Sequence, residues 1–119
     1  MISLAFKESQ KSFCRTRHGA IVSKGGRVFG KGHNSYKTHG TWGGGPLMTL
    51  HAEAAAIRDA VRRGIDICGA TLFVTRGDAN RMSKPCVSCQ ALLESYGITK
   101  VIYTDENGNI LVEFPLSEP

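Results

Sequence analysis

The most restrictive feature of the chain lies near its C-terminal end. There "KVIYT" (100–104) and "NILVEF" (109–114) are joined by only about five residues around the turn-forming pair Asn107-Gly108. Both runs are rich in β-branched and aromatic residues, which suit a pleated, half-buried surface. A parallel crossover needs roughly a dozen residues or more, usually a helix, so these two strands must run antiparallel. Upstream, "ATLFVT" (70–75) reads as a buried strand. Between it and residue 100, "CVSCQALLESYG" reads as a helix, entered through Pro85 and ended by Gly97. "HGAIVSKGGRVFGKGHN" reads as a hairpin with strands Ala20 to Ser23 and Arg27 to Gly30 and the turn Lys24-Gly25-Gly26. Helices are expected over residues 3–13 and from about His51 to Arg63, the second stopped by Gly64. The order is α-ββ-α-β-α-β-β. That predicts an α/β fold in which one mixed five-stranded sheet is layered with helices.

A length of 119 residues fits one domain spanning 1–119, large enough for a core without disulfide staples. At 41% apolar residues the chain is too hydrophobic for disorder. Many of its glycines gather between residues 19 and 45. The densest stretch, "SYKTHGTWGGGPLMT", is expected to be a loop, as is "RGDANRMSK". The "RGD" at 76–78 reads as a loop after a strand rather than an adhesion motif. The opening "MISLAFKESQ" lacks a signal-peptide core, and no apolar run is long enough to span a bilayer. A cytoplasmic location without membrane contact is expected. There the four cysteines read as thiols or metal ligands rather than disulfides. Much of the +5 formal charge lies early, at Lys7, Lys11, Arg15, Arg17, Lys24, Arg27, Lys31 and Lys37. Such a surface suits phosphates, or simply solubilises the chain.

"KPCVSC" sets Cys86 and Cys89 three apart at a helix start, with both sulfurs on one side of the first turn. The helix N-terminus favours the thiolate that a metal needs. Alone, C-x-x-C is equally a redox pair or two core cysteines. "TLHAEAAAIRDA" (49–60) changes the weighing, because it places His51 and Glu53 at a second helix start. Taken by themselves these two are a capped helix end. With Cys86 and Cys89 they become one imidazole and two thiolates, a catalytic zinc arrangement with water in the fourth position. Glu53 sits where a carboxylate takes a proton from that water and hands it on. Cys14 and Cys68 read as core residues. H-x-E…P-C-x-x-C is the signature of zinc deaminases, and "HAE" and "PCVSC" stand here in that order.

Over roughly residues 3–114 the chain resembles the cytidine deaminase-like superfamily. The resemblance rests on the N-terminal helix, the hairpin, "HAE" and "PCVSC". It implies the three-layer α/β/α cytidine deaminase-like fold and a Zn2+ cofactor held by His51, Cys86 and Cys89. It also implies Glu53 as the proton shuttle for attack by zinc-bound hydroxide on the amine-bearing ring carbon. The backbone around Ala52 is similarly placed to hydrogen-bond the base, and Asn34 matches an asparagine near the substrate sugar. Trp42 is a candidate for stacking on a base, or else a cover for the core. Arg15, Arg17 and Lys37 are candidates for a nucleotide phosphate, and His33 and His39 read as surface histidines. Deoxycytidylate and tRNA-adenosine deaminases usually carry a helix between the last two strands, for which this chain has no room. Its tail is more similar to that of free-nucleoside cytidine deaminases, and of some nucleic-acid-acting bacterial deaminases, but the nucleoside enzymes usually carry cysteine where His51 stands. The first expectation is therefore a hydrolase converting cytosine to uracil in a nucleoside or nucleotide, working as a homo-oligomer. The alternatives are a cytosine or adenine deaminase acting on single-stranded DNA or RNA, and an inactive zinc-stabilised binding module.

Overall fold

The computed structural model describes residues 1–14, 16–36, 49–77, 82–83 and 87–113. Three helices, α1 (Ile2–Ser9), α2 (Ala52–Arg62) and α3 (Val87–Ser95), pack on a sheet built from β1 (His18–Lys24), β2 (Arg27–His33), β5 (Thr71–Arg76), β6 (Lys100–Thr104) and β7 (Ile110–Glu113). The strand order is β2-β1-β5-β6-β7. β1 runs antiparallel to both β2 and β5, β5 runs parallel to β6, and β7 returns antiparallel. The expected mixed five-stranded sheet is present, and its last pair has the direction that the short link demands.

Glycines define the layers. A Cβ on Gly19 would strike the Ala5 carbonyl and the Ser9 amide of α1. On the opposite face, Cβ atoms on Gly30 and Gly32 would strike the Ala56 backbone of α2. Helices therefore lie almost in contact with bare backbone on both sides of the hairpin. Alanines at 52, 56 and 60 make the approach possible, and all three are fully buried. They join Ala20, Val22, Leu72, Val74, Val101 and Leu93 of α3 in one core, so α2 and α3 share a face. The result is a three-layer α/β/α arrangement.

Several boundaries differ from the sequence expectation. The first helix ends at Ser9 rather than residue 13. The Ser9 hydroxyl donates back to the Phe6 carbonyl, and Ser12 Oγ accepts the Cys14 amide, offering the backbone a turn in place of a third helical turn. β2 continues past Gly30 to His33, because close approach of α2 outweighs glycine's poor strand propensity. The expected glycine-rich loop is pinned at its ends by two-residue strands, β3 (Ser35–Tyr36) and β4 (Thr49–Leu50), with Ser35 opposite Leu50. Residues 37–48 between them lie outside the described residues.

Helix stops behave as expected. Gly64 (φ 72) and Gly97 (φ 77) follow α2 and α3 in left-handed conformation, and the next residues, Ile65 and Ile98, donate back to Ala60 and Leu93. Cys14 is buried as expected, but Cys68 is exposed. It sits at a turn where Asp66 accepts its amide and Lys24 donates to its carbonyl, while its neighbours Ile67 and Ala70 go into the core. Arg76 belongs to β5 rather than to a loop, and residues 78–81 lie outside the described residues. No described helix is long and apolar enough to cross a membrane.

Candidate zinc and catalytic centre

His51 is the residue before α2, in extended conformation (φ −72, ψ 150), and its side chain makes no capping hydrogen bond. This disfavours the reading of His51 as an ordinary cap. Its Nδ1 lies instead 3.2 Å from Cys89 Sγ in the first turn of α3. That contact brings the starts of two helices together, one from each side of strand β5 in the chain. Both helix N-termini present partial positive charge there, which favours a thiolate at Cys89. Zinc with a thiolate at about 2.3 Å and an imidazole nitrogen at about 2.0–2.1 Å in tetrahedral geometry sets the two donors roughly 3.5 Å apart. The observed spacing fits such an ion.

Glu53 completes the cluster. It lies in the first turn of α2, is buried, and offers a carboxylate oxygen within 4.8 Å of the His51 and Cys89 ligand atoms. Burial pushes its carboxyl up from the ordinary value, against the pull of its own backbone N–H and of His51. A carboxyl biased towards its protonated form beside a borderline-soft donor pair is suited to passing protons. The imidazole, thiol and carboxylate donors are consistent with Zn2+. Cys86 lies outside the described residues, as do Trp42, Arg15, Lys37 and His39.

Ala52 sits between His51 and Glu53 and is fully buried in the core. Asn34 is buried and hydrogen-bonded. Its Oδ1 accepts the His18 amide (2.9 Å) and its Nδ2 donates to the Thr16 carbonyl (2.6 Å), stapling the start of β1. Arg17 is exposed, and His33 is paired with Glu8 at 3.2 Å.

One positioning residue had no signal in the sequence. Ser83, three residues before Cys86, is buried. Its hydroxyl donates to the Val74 carbonyl (2.9 Å) and accepts the Thr104 amide (2.7 Å), and its own amide donates to Thr104 O (2.9 Å). It thereby fastens the segment leading into α3 to the carboxyl ends of β5 and β6. A lone serine in "RMSK" reads as loop chemistry, and only the tertiary structure shows it as a hub.

The family described as the cytidine and deoxycytidylate deaminase zinc-binding region matches residues 1–105. The deoxycytidylate deaminase of Mycobacterium phage D29 is 30% identical over 127 residues, covering 89% of this chain and 92% of that protein. The tRNA-specific adenosine deaminase of Aquifex aeolicus (strain VF5) is 30% identical over 126 residues, covering 99% and 75%. Among solved structures, the dCMP deaminase of cyanophage S-TIM5 in apo form superposes with a TM-score of 0.68 at 29% identity, covering 87% of this chain and 78% of that one. The same enzyme in complex with dCMP and dUMP gives 0.66 at 29%, covering 84% and 74%. Cytidine deaminase from Burkholderia pseudomallei shares the fold, with a TM-score of 0.75 at 22% identity over 96% of this chain and 89% of that one. With the His51, Glu53 and Cys89 donors gathered at two helix starts, these matches place the chain in the cytidine and deoxycytidylate deaminase zinc-binding family, as a zinc-dependent aminohydrolase.

Proposed function

We propose that the chain, as a single domain, hydrolyses the amino group of cytosine in a nucleoside or nucleotide, leaving uracil in the same nucleoside or nucleotide and releasing ammonia, with dCMP the first substrate to test. The observation that carries the reading is the 3.2 Å approach of His51 Nδ1 to Cys89 Sγ beside the buried Glu53 carboxyl. His51, Cys86 and Cys89 would hold the zinc ion, which when bound makes water far more acidic than in bulk. Glu53 takes a proton from the attacking water, delivers it to the ring nitrogen, and then protonates the departing amine. Burial supports this role, since it raises the pKa of the carboxyl and so eases its taking up a proton. The same feature argues against an inactive binding module, for which a buried carboxyl at this place has no use. Main-chain groups at Ala52 orient the base, while Asn34 and Trp42 are the side-chain candidates for the sugar and the ring.

The nucleotide is favoured by the phage deoxycytidylate deaminase, which matches nearly the whole chain, and by the S-TIM5 structure with dCMP and dUMP. A second reading, deamination of a base within RNA or DNA, is favoured by the match to tRNA-specific adenosine deaminases. We assign the protein to the cytoplasm and to a homo-oligomer. The exposed apolar residues Ile110, Leu111 and Val112 on the edge strand β7 support assembly. Incubation of the zinc-loaded protein with cytidine, deoxycytidine, dCMP and a cytosine-containing single strand, with ammonia release as readout, tests the assignment. Turnover of dCMP or a nucleoside is expected. Turnover of the oligonucleotide alone would overturn it in favour of the second reading.

A further inference from the structure

We propose that the cleft along the outer edge of β2 docks the backbone of a single-stranded nucleic acid. This is a binding surface apart from the zinc centre, and it does not rest on the deaminase reading.

A cleft of about 460 Å³ lies between α1, β2 and α2. Five cationic side chains line it: Lys11, Lys31, Arg58, Arg62 and Arg63. Its two carboxylates are already engaged. Glu8 pairs with Lys11 (3.1 Å) and His33 (3.2 Å). Asp59 pairs with Arg63 (3.3 Å) and accepts the Lys31 backbone amide (2.9 Å). Lys31, Arg58 and Arg62 are exposed and have no carboxylate partner among the described residues. Arg58 and Arg62 stand one helical turn apart, where like charges repel. A polyanion laid along the cleft relieves that repulsion.

The neighbouring surface narrows the choice of polyanion. A second cavity of about 240 Å³ shares Lys11, His33 and Ser35 with the first and adds Cys14 and Phe13. The Phe13 ring is 97% exposed, an unusual state for a phenyl group. A cationic track continuous with an exposed aromatic ring is the pairing by which proteins hold single strands, with phosphates on the cations and a base on the ring. Duplex bases are already stacked and offer no free face to Phe13. A peptide adding a strand to β2 would meet the Lys31 amide already occupied by Asp59. The cleft reaches Ser35, whose ladder partner Leu50 immediately precedes His51, so a bound strand passes close to the start of α2.

The test is fluorescence anisotropy of a labelled 15-nucleotide single-stranded DNA with the zinc-loaded full chain across a salt series. Binding that weakens with salt is expected. The double variant Arg58→Glu/Arg62→Glu should lose at least tenfold in affinity and flatten the slope of log K against log salt by about 1.4, from two lost phosphate contacts. Phe13→Ala should weaken binding at least fivefold with the slope unchanged. Far-UV circular dichroism and, where present, turnover of free dCMP should match the parent protein for all variants, since none of these residues belongs to the zinc centre. Absence of binding at low salt would overturn the proposal, as would equal affinity in the charge-reversal variant. Competition by poly-glutamate or duplex DNA as effective as by unlabelled single strand would also overturn it. Because binding is read without catalysis, failure here and failure of the deaminase assignment are separately visible.

Discussion

Glu53 carries the sharpest consequences at the level of a single side chain. Its carboxyl binds a proton more tightly in the folded protein than in the unfolded chain. The folded state therefore holds more protons than the unfolded state between the ordinary carboxylate pKa and the raised one, and stability of the metal-free protein falls as pH rises through that window. Glu53→Gln removes the cost of burying the anion. The metal-free variant is expected to melt at a higher temperature than the parent at neutral pH, with the difference vanishing below the ordinary carboxylate pKa. In zinc-loaded protein the same change should lower kcat by about 10²–10⁴-fold while metal content stays unchanged. Thermal melts at two pH values and steady-state kinetics check both. His51, Glu53 and Cys89 were legible in the sequence because their chemistry is rare at those spacings. Asn34 was singled out as a sugar contact, and the structure adds a role the sequence did not show, its amide holding the start of β1. Ser83 went unread because its role exists only where β5 and β6 end side by side.

Among the elements, close packing of α2 on the hairpin is the feature most exposed to test. Gly30→Ala places a methyl group against the Ala56 carbonyl, where backbone rather than a flexible side chain must yield. A loss of about 1–3 kcal/mol in urea unfolding is expected, with an unchanged m-value. The β6–β7 turn gives a pH-dependent prediction. Asp105 accepts the Asn107 amide (2.9 Å) and the Asn109 amide (2.8 Å). These bonds, the Asn109 amide first, hold its carboxyl below its ordinary value. The support it gives the turn is complete above the unfolded-state pKa and is lost as pH falls through the lowered folded one. Hydrogen exchange at Asn107 and Asn109 should therefore be protected at neutral pH and lose its Asp105-dependent part only in acid, whereas Asp105→Ala should lack that part throughout. The order of elements was readable because strand and helix periods differ and the last link is too short for a crossover. Their ends were not. The Ser9 and Ser12 hydroxyls shorten α1, and the tertiary approach of α2 extends β2 through glycines that read as breakers.

For the molecule as a whole, the fold converges two helix starts on one point beside the carboxyl ends of β5 and β6. Everything chemical follows from that convergence. Family and metal were legible because they depend on a few residues in fixed order. Substrate was not, because the same zinc-site chemistry serves different bases and different carriers. The central claim is that His51, Cys86 and Cys89 bind one zinc ion. Zinc K-edge X-ray absorption on stoichiometrically analysed protein tests it most directly. The account predicts one zinc per chain with two sulfurs at about 2.3 Å and one nitrogen at about 2.0–2.1 Å, the shell completed by a light atom. Protein purified without zinc that cannot be loaded, or a shell containing four sulfurs or none, would contradict it.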